Sequence, residues 1–170
     1  MENMKQKRQR VYLLCGPAGS GKSTLAHKLM APMTDVLLSR DNLRFAMLGE
    51  NEDYFAHENE VRKRFLELIQ EHTTSDEFNG IFIDATHLTV KARKQIQSAM
   101  KNNPYKIAIS FEVPLKVALE RNSKRNGLAL VPESAIRNMY NCYKIPTLSE
   151  GFDEIWHIDA EGVIRKEVKE

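Results

Sequence analysis

The chain has 170 residues, with 25 Lys and Arg against 23 Asp and Glu, a formal net charge of +2. A hydrophobic fraction of 42% and a charged fraction of 28% belong to a globular chain and exclude a disordered or fibrous one. The near-neutral balance excludes a chain-wide polycation, so affinity for anions must come from local clusters. Two cysteines, Cys15 and Cys142, make neither a disulfide scaffold nor a zinc site. They suit a reduced, cytoplasmic protein. The longest early apolar run, residues 11–15, is too short for a signal-peptide core or a membrane span.

One domain over residues 1–170 is expected, with no repeat, low-complexity tract or linker to divide it. Residues 1–10 carry Lys5, Lys7, Arg8 and Arg10 and read as a basic, solvated lead-in. Residues 11–15 read as a buried strand, and 24–30 as a helix. A second strand follows at 36–38 and a short helix at 42–48, stopped by Gly49. Residues 59–72 form the clearest helix, with Val61, Phe65, Leu68 and Ile69 on one face. Asn79-Gly80 turns the chain into a third strand at 81–83. A helix at 90–100 places Ala92, Ile96, Ala99 and Met100 inward. A fourth strand at 107–113 and helices at 115–122 and 133–143 come next, then a fifth strand at 155–158. The tail at 163–168 returns as a short edge strand. Such alternation predicts an α/β fold: a mainly parallel five-stranded sheet with helices on both faces, three layers in all. Ligands in such sheets sit beyond the carboxyl ends of the strands.

Immediately after the first strand comes Gly16-Pro17-Ala18-Gly19-Ser20-Gly21-Lys22-Ser23, the G-x-x-x-x-G-K-S phosphate loop, or P-loop. Its glycines let backbone N–H groups turn inward on phosphate oxygens, and the following helix N-terminus favours the anion further. Gly16, Gly19, Ser20, Gly21, Lys22, Ser23 and Thr24 are the candidate nucleotide-binding residues. Lys22 reaches the β- and γ-phosphates, and the Ser23 hydroxyl serves Mg²⁺. Cys15 reads as a small buried residue.

The second strand ends in Ser39-Arg40-Asp41-Asn42-Leu43-Arg44. Asp41 and Arg44, at i and i+3, fall on one helix face. A carboxylate there can take the proton from an attacking hydroxyl, and the guanidinium can hold an acceptor phosphate. Asp41 can also serve as a helix N-cap. Asp84, at the end of the third strand, stands where a P-loop enzyme places its second metal-positioning group. Thr86 and His87 follow it as candidate acceptor-pocket residues.

Arg121 and Arg125 stack at i and i+4 in Arg121-Asn122-Ser123-Lys124-Arg125. Like charges so placed repel by a few tenths of a kcal/mol, and an anion between them converts that cost into a clamp on a transferring phosphoryl group. A solvated basic helix end is the alternative. Asn126-Gly127 offers a hinge, and Val131-Pro132 an apolar surface for adenine.

In this order these residues resemble the 5′-hydroxyl kinase module of phage polynucleotide kinases. The resemblance runs over residues 11–143: the P-loop, Arg40-Asp41-x-x-Arg44, Asp84-Ala-Thr86, Arg121-Asn-Ser-Lys-Arg125, and Val131-Pro132 ahead of Ile136-Arg137-x-Met139-Tyr140. It implies phosphate binding by Lys22, metal binding by Ser23, a general base at Asp41, acceptor-phosphate contact at Arg44 and transition-state stabilisation by Arg125. The family often has Asn at the position of His87. No Asp-x-Asp signature of the separate 3′-phosphatase domain occurs, so the kinase half alone is implied.

The expected activity is ATP- and Mg²⁺-dependent phosphoryl transfer to a hydroxyl, the 5′ end of a single-stranded nucleic acid being the favoured acceptor. The basic groups at 5–10, 62–64 and 91–94 could track that strand or equally be solvated helix surface. A small hydroxyl substrate (sugar, nucleoside or nucleotide sugar) is the alternative, and a non-catalytic ATP-binding switch a further one. No membrane partner is expected.

Overall fold

A computed structural model describes residues 8–170; Lys5 and Lys7 of the expected lead-in lie outside the described residues. Six strands, β1 (Arg10–Cys15), β2 (Asp35–Ser39), β3 (Gly80–Asp84), β4 (Tyr105–Phe111), β5 (Glu154–Ile158) and β6 (Ile164–Val168), form one sheet. Their order is β2-β3-β1-β4-β5-β6. The first five are parallel. β6 pairs antiparallel with β5, so the tail completes a six-stranded sheet where five strands and an edge segment were expected. The turn into β6 is shaped by Asp159, whose Oδ1 accepts from the N–H groups of Glu161 and Val163 at 3.0 and 2.9 Å. Arg165, Lys166 and Glu167 charge the exposed edge, which discourages pairing with another sheet.

Six helices, α1 (Lys22–Leu29), α2 (Arg40–Met47), α3 (Glu58–Thr74), α4 (Val90–Ala99), α5 (Leu115–Ser123) and α6 (Glu133–Cys142), join the strands. Side chains alternate across β1, and the core divides accordingly. Val11, Leu13 and Cys15 join Ile81, Ile83 and Ala108 beneath Phe65 and Ile69 of α3 and Ile96 of α4. Leu14 joins Phe82, Ile109 and Trp156 on the other face, beneath Ala26 of α1. Each such Leu or Ile contributes about 1.5–3 kcal/mol when fully buried.

The helical basic groups separate into two kinds. Arg93 is fully buried, where a surface group, strand-tracking or merely solvated, was expected. Its guanidinium donates to both Glu150 carboxylate oxygens at 2.7 and 2.8 Å and to the carbonyls of His87 and Lys144. It fastens α4 to the turn before β5. Arg64 is held by Glu71 at 2.8 Å. Arg93 is thereby closed off from any external anion, while Arg64 stays at the surface in its ion pair.

Adjacent strands β1 and β4 send the chain in opposite directions, β1 towards β2 and β4 towards β5. That divergence opens a crevice at their carboxyl ends, and the glycine-rich loop lies in it.

Candidate active site

Residues 16–21 connect central strand β1 directly to α1. Gly19 has φ +81°, and a Cβ there would lie 2.4 Å from the Ala118 carbonyl oxygen of α5. Only glycine permits both the left-handed backbone and that approach. The Lys22 ammonium bends back to the Gly16 and Pro17 carbonyls at 2.9 and 2.8 Å, closing the loop into a ring. Burial lowers its pKa to about 8; the charges of Asp84 and Asp41 oppose that shift and the charge of Arg125 adds to it.

Ser23, in the first turn of α1, donates its hydroxyl to Asp84 Oδ2 at 2.7 Å. Asp84 ends β3, paired with β1. Burial raises the Asp84 pKa, while the Ser23 hydrogen bond and the Lys22 charge pull it down. A hydroxyl beside a carboxylate is an oxygen donor set for a hard divalent cation.

Ser39 caps α2, its Oγ accepting from the Asn42 N–H at 3.3 Å. That frees Asp41 from the capping role that its position allowed. Asp41 instead accepts from the Tyr54 hydroxyl at 2.7 Å and pairs with Arg44. Arg44, 5% exposed, also donates to Tyr54 Oη at 2.8 Å and to Glu58 at 2.7 Å. Glu58, the first residue of α3, pairs with Arg40 as well. The Nε atoms of Arg40 and Arg44 are buried without a partner. Tyr54 and Glu58 escaped the sequence reading because they lie 13 and 14 residues from the groups they hold, with no local spacing to flag them.

The Thr86 carbonyl accepts from the Gly16 N–H at 2.9 Å, so the loop after β3 abuts the P-loop. His87 is 5% exposed at φ +45°. Its Nδ1 lies 2.6 Å from the Leu14 carbonyl, which fixes Nδ1 as the protonated nitrogen. Burial lowers the imidazole pKa to about 4. Arg40, Thr86 and His87 share a cavity of about 250 Å³ between α3 and α4.

The two lid arginines are not equivalent. Arg121 donates to the carbonyls of Ser20 and Ala160 at 3.2 and 3.1 Å, locking α5 to the P-loop and to the β5–β6 turn. Arg125 is exposed, just beyond α5, with no ion pair among the described residues. Asn122, buried between them, exchanges two hydrogen bonds with the backbone of Val131 at 2.8 and 3.0 Å. It pins the segment expected to meet adenine. From α6, Met139 Sδ lies 3.5 Å from the Ala18 N–H and Tyr143 donates to the Cys15 carbonyl at 3.0 Å. Burial pushes the Cys15 thiol up to about 12, far from a nucleophilic thiolate.

A phosphate loop on the central strand, a carboxylate closing the next strand and an arginine-bearing segment past the fourth define a P-loop kinase fold. The chain belongs to the AAA_33 family, described as AAA domain, whose model matches residues 11–146. No curated protein matches it significantly. The chain is similar in structure to one from the Pnkp1/Rnl/Hen1 RNA repair complex, with TM-score 0.67 and 20% identity, covering 83% of this chain and 46% of that one. This chain thus spans about half the length of that relative. It is also similar to a gluconokinase from Sinorhizobium meliloti, with TM-score 0.58, 16% identity and coverages of 91% and 84%. A structure of the PezAT toxin–antitoxin system of Streptococcus pneumoniae gives TM-score 0.64, 16% identity and coverages of 94% and 71%. At these identities the likeness is one of fold. No helix among the described residues is long and apolar enough to cross a membrane.

Proposed function

We propose that the chain acts as one kinase domain that moves the γ-phosphoryl group of ATP to the 5′-hydroxyl of a polynucleotide. The observation that favours this acceptor is the pair of buried, unpartnered guanidinium Nε–H groups of Arg40 and Arg44, on either side of Asp41. A buried donor without an acceptor costs about 1–3 kcal/mol. A phosphate beside the reacting hydroxyl would supply the missing acceptors together with the negative charge that suits two guanidinium groups, whereas a sugar offers only neutral hydroxyl acceptors.

In this reading the amides of residues 16–21 and Lys22 hold the triphosphate, while Val131 and Arg121 flank the nucleoside. Asp41 accepts the proton as the acceptor oxygen bonds to the γ-phosphorus, and the bond to the β-phosphate oxygen breaks to release ADP. Arg125 faces the charge that develops on the transferring group. Arg44 orients Asp41 and the acceptor phosphate; Thr86 and His87 line the acceptor side. Ser23 and Asp84 offer the oxygen pair that fits Mg²⁺. When bound, that ion neutralises phosphate charge. ATP as donor suits a cytoplasmic setting.

A second reading is supported by cavity size. About 250 Å³ lies below the roughly 300–1,000 Å³ of ordinary ligand pockets and suits a single sugar or nucleoside. The two are separated by incubating the protein with γ-labelled ATP and Mg²⁺ against a 5′-hydroxyl oligonucleotide, the same strand with a 5′-phosphate, and a panel of sugars and nucleosides. Label on the 5′-hydroxyl strand alone supports the polynucleotide reading. Label on a sugar or free nucleoside alone replaces it with the second.

A further inference from the structure

We propose that the groove between α3 and α4 carries the phosphodiester backbone of a single-stranded acceptor away from the reacting 5′ end. This rests on the polynucleotide reading and adds the surface that would hold the rest of the strand. The cavity beside Thr86 continues outward into a groove of about 740 Å³, the two sharing Arg62, Leu66 and Gln95. Lys91 and Lys94 of α4 line the outer part. Arg40, already paired with Glu58, stands at the inner end, and Arg62, Lys91 and Lys94 follow it outward, with no carboxylate among the lining residues.

The ion-pairing pattern separates this surface from ordinary charged helix exteriors. Arg64 and Arg93 on the same helices are taken up by Glu71 and Glu150. Arg62, Lys91 and Lys94 join no ion pair among the described residues. Lys91 and Lys94 stand at i and i+3 on α4, a like-charge spacing that costs a few tenths of a kcal/mol unless an anion lies over it. Leu66 and half-exposed Val90 add apolar surface along the same groove. The unpaired cations suit the phosphates of a flexible strand, and the aliphatic side chains beside them offer apolar contact to its bases. Arg40 lines the inner end and directly precedes Asp41 in the first turn of α2, so the groove ends one residue from the proposed base.

The test compares the wild-type protein with Lys91→Gln/Lys94→Gln and with Arg62→Gln. Binding of a fluorescent single strand is followed by anisotropy without ATP, and kinase kinetics are measured on a long oligonucleotide and on a dinucleotide. For the double variant, KM for the long strand rises on the order of tenfold with kcat unchanged, and KM for the dinucleotide stays put. The slope of log affinity against log salt becomes shallower by about 0.7 for each cation removed. Equal KM changes for both lengths, an unchanged salt slope, or equal competition by poly-glutamate would overturn the groove assignment. Weakened strand binding in the variants of a protein that phosphorylates no 5′-hydroxyl would uphold the groove and remove the kinase reading.

Discussion

Ser23 Oγ lies 2.7 Å from Asp84 Oδ2, so the first turn of α1 and the end of β3 meet at one point beside the phosphate loop. Neither group has another side-chain partner within hydrogen-bond distance among the described residues. If the pair serves a divalent ion, Asp84→Ala weakens Mg²⁺-dependent nucleotide binding by about 10–100-fold. Nucleotide binding in excess chelator stays near the wild-type level. Calorimetric titration of ATP with and without Mg²⁺ measures both terms. Equal losses in the two conditions would instead make Asp84 a support for the loop.

Arg93 and Glu150 form a buried ion pair, their side chains 0% and 5% exposed. Removing one partner strands a charge in the core. Glu150→Ala therefore lowers stability by about 3–5 kcal/mol in urea unfolding. Replacing both, Arg93→Met with Glu150→Leu, recovers much of that loss, because no charge remains to desolvate. A double variant no more stable than Glu150→Ala would show that the guanidinium bonds to the His87 and Lys144 carbonyls dominate.

This pair also marks how far the sequence could be read. The P-loop, the strand–helix alternation and the sided helices are local patterns, carried by spacings of a few residues, and they were legible. Asp41 and Arg44 were legible as a pair for the same reason. Glu58 and Tyr54, which hold Arg44 and Asp41, were not, because a loop of undetermined path separates them from α2. Arg93 resembled its neighbours Lys91 and Lys94, since the helical period places a residue on a face without saying which face meets Glu150. Strand order was equally hidden: apolar runs at 81–83 and 107–113 are alike, and only packing places β3 and β4 on opposite sides of β1. Asp41 was legible as a possible cap, but α2 begins at Arg40 with Ser39 as its cap, and the Asp41 carboxylate turns to Tyr54 and Arg44 instead.

His87 makes stability pH-dependent. Its pKa is about 4 in the folded protein against an ordinary 6.5, so the unfolded chain binds this proton first as pH falls. The stability from keeping the imidazole neutral is full above about pH 6.5 and is lost as pH drops towards 4, up to about 3 kcal/mol. Asn tolerates the positive φ of this position and does not titrate. Between pH 6.5 and 4, His87→Asn therefore loses less stability than wild type. Parallel acid limbs in urea unfolding would place the acid sensitivity in other groups.

Asp41 carries the central claim, since it alone is asked to take the acceptor proton. The most direct measurement follows transfer of label from γ-labelled ATP to a 5′-hydroxyl oligonucleotide by wild-type protein and by Asp41→Ala, with ATP binding checked in parallel. The expected result is efficient labelling by wild type, a loss of about 10²–10⁴-fold in the variant, and unchanged ATP affinity. Labelling by the variant at the wild-type rate would contradict the account.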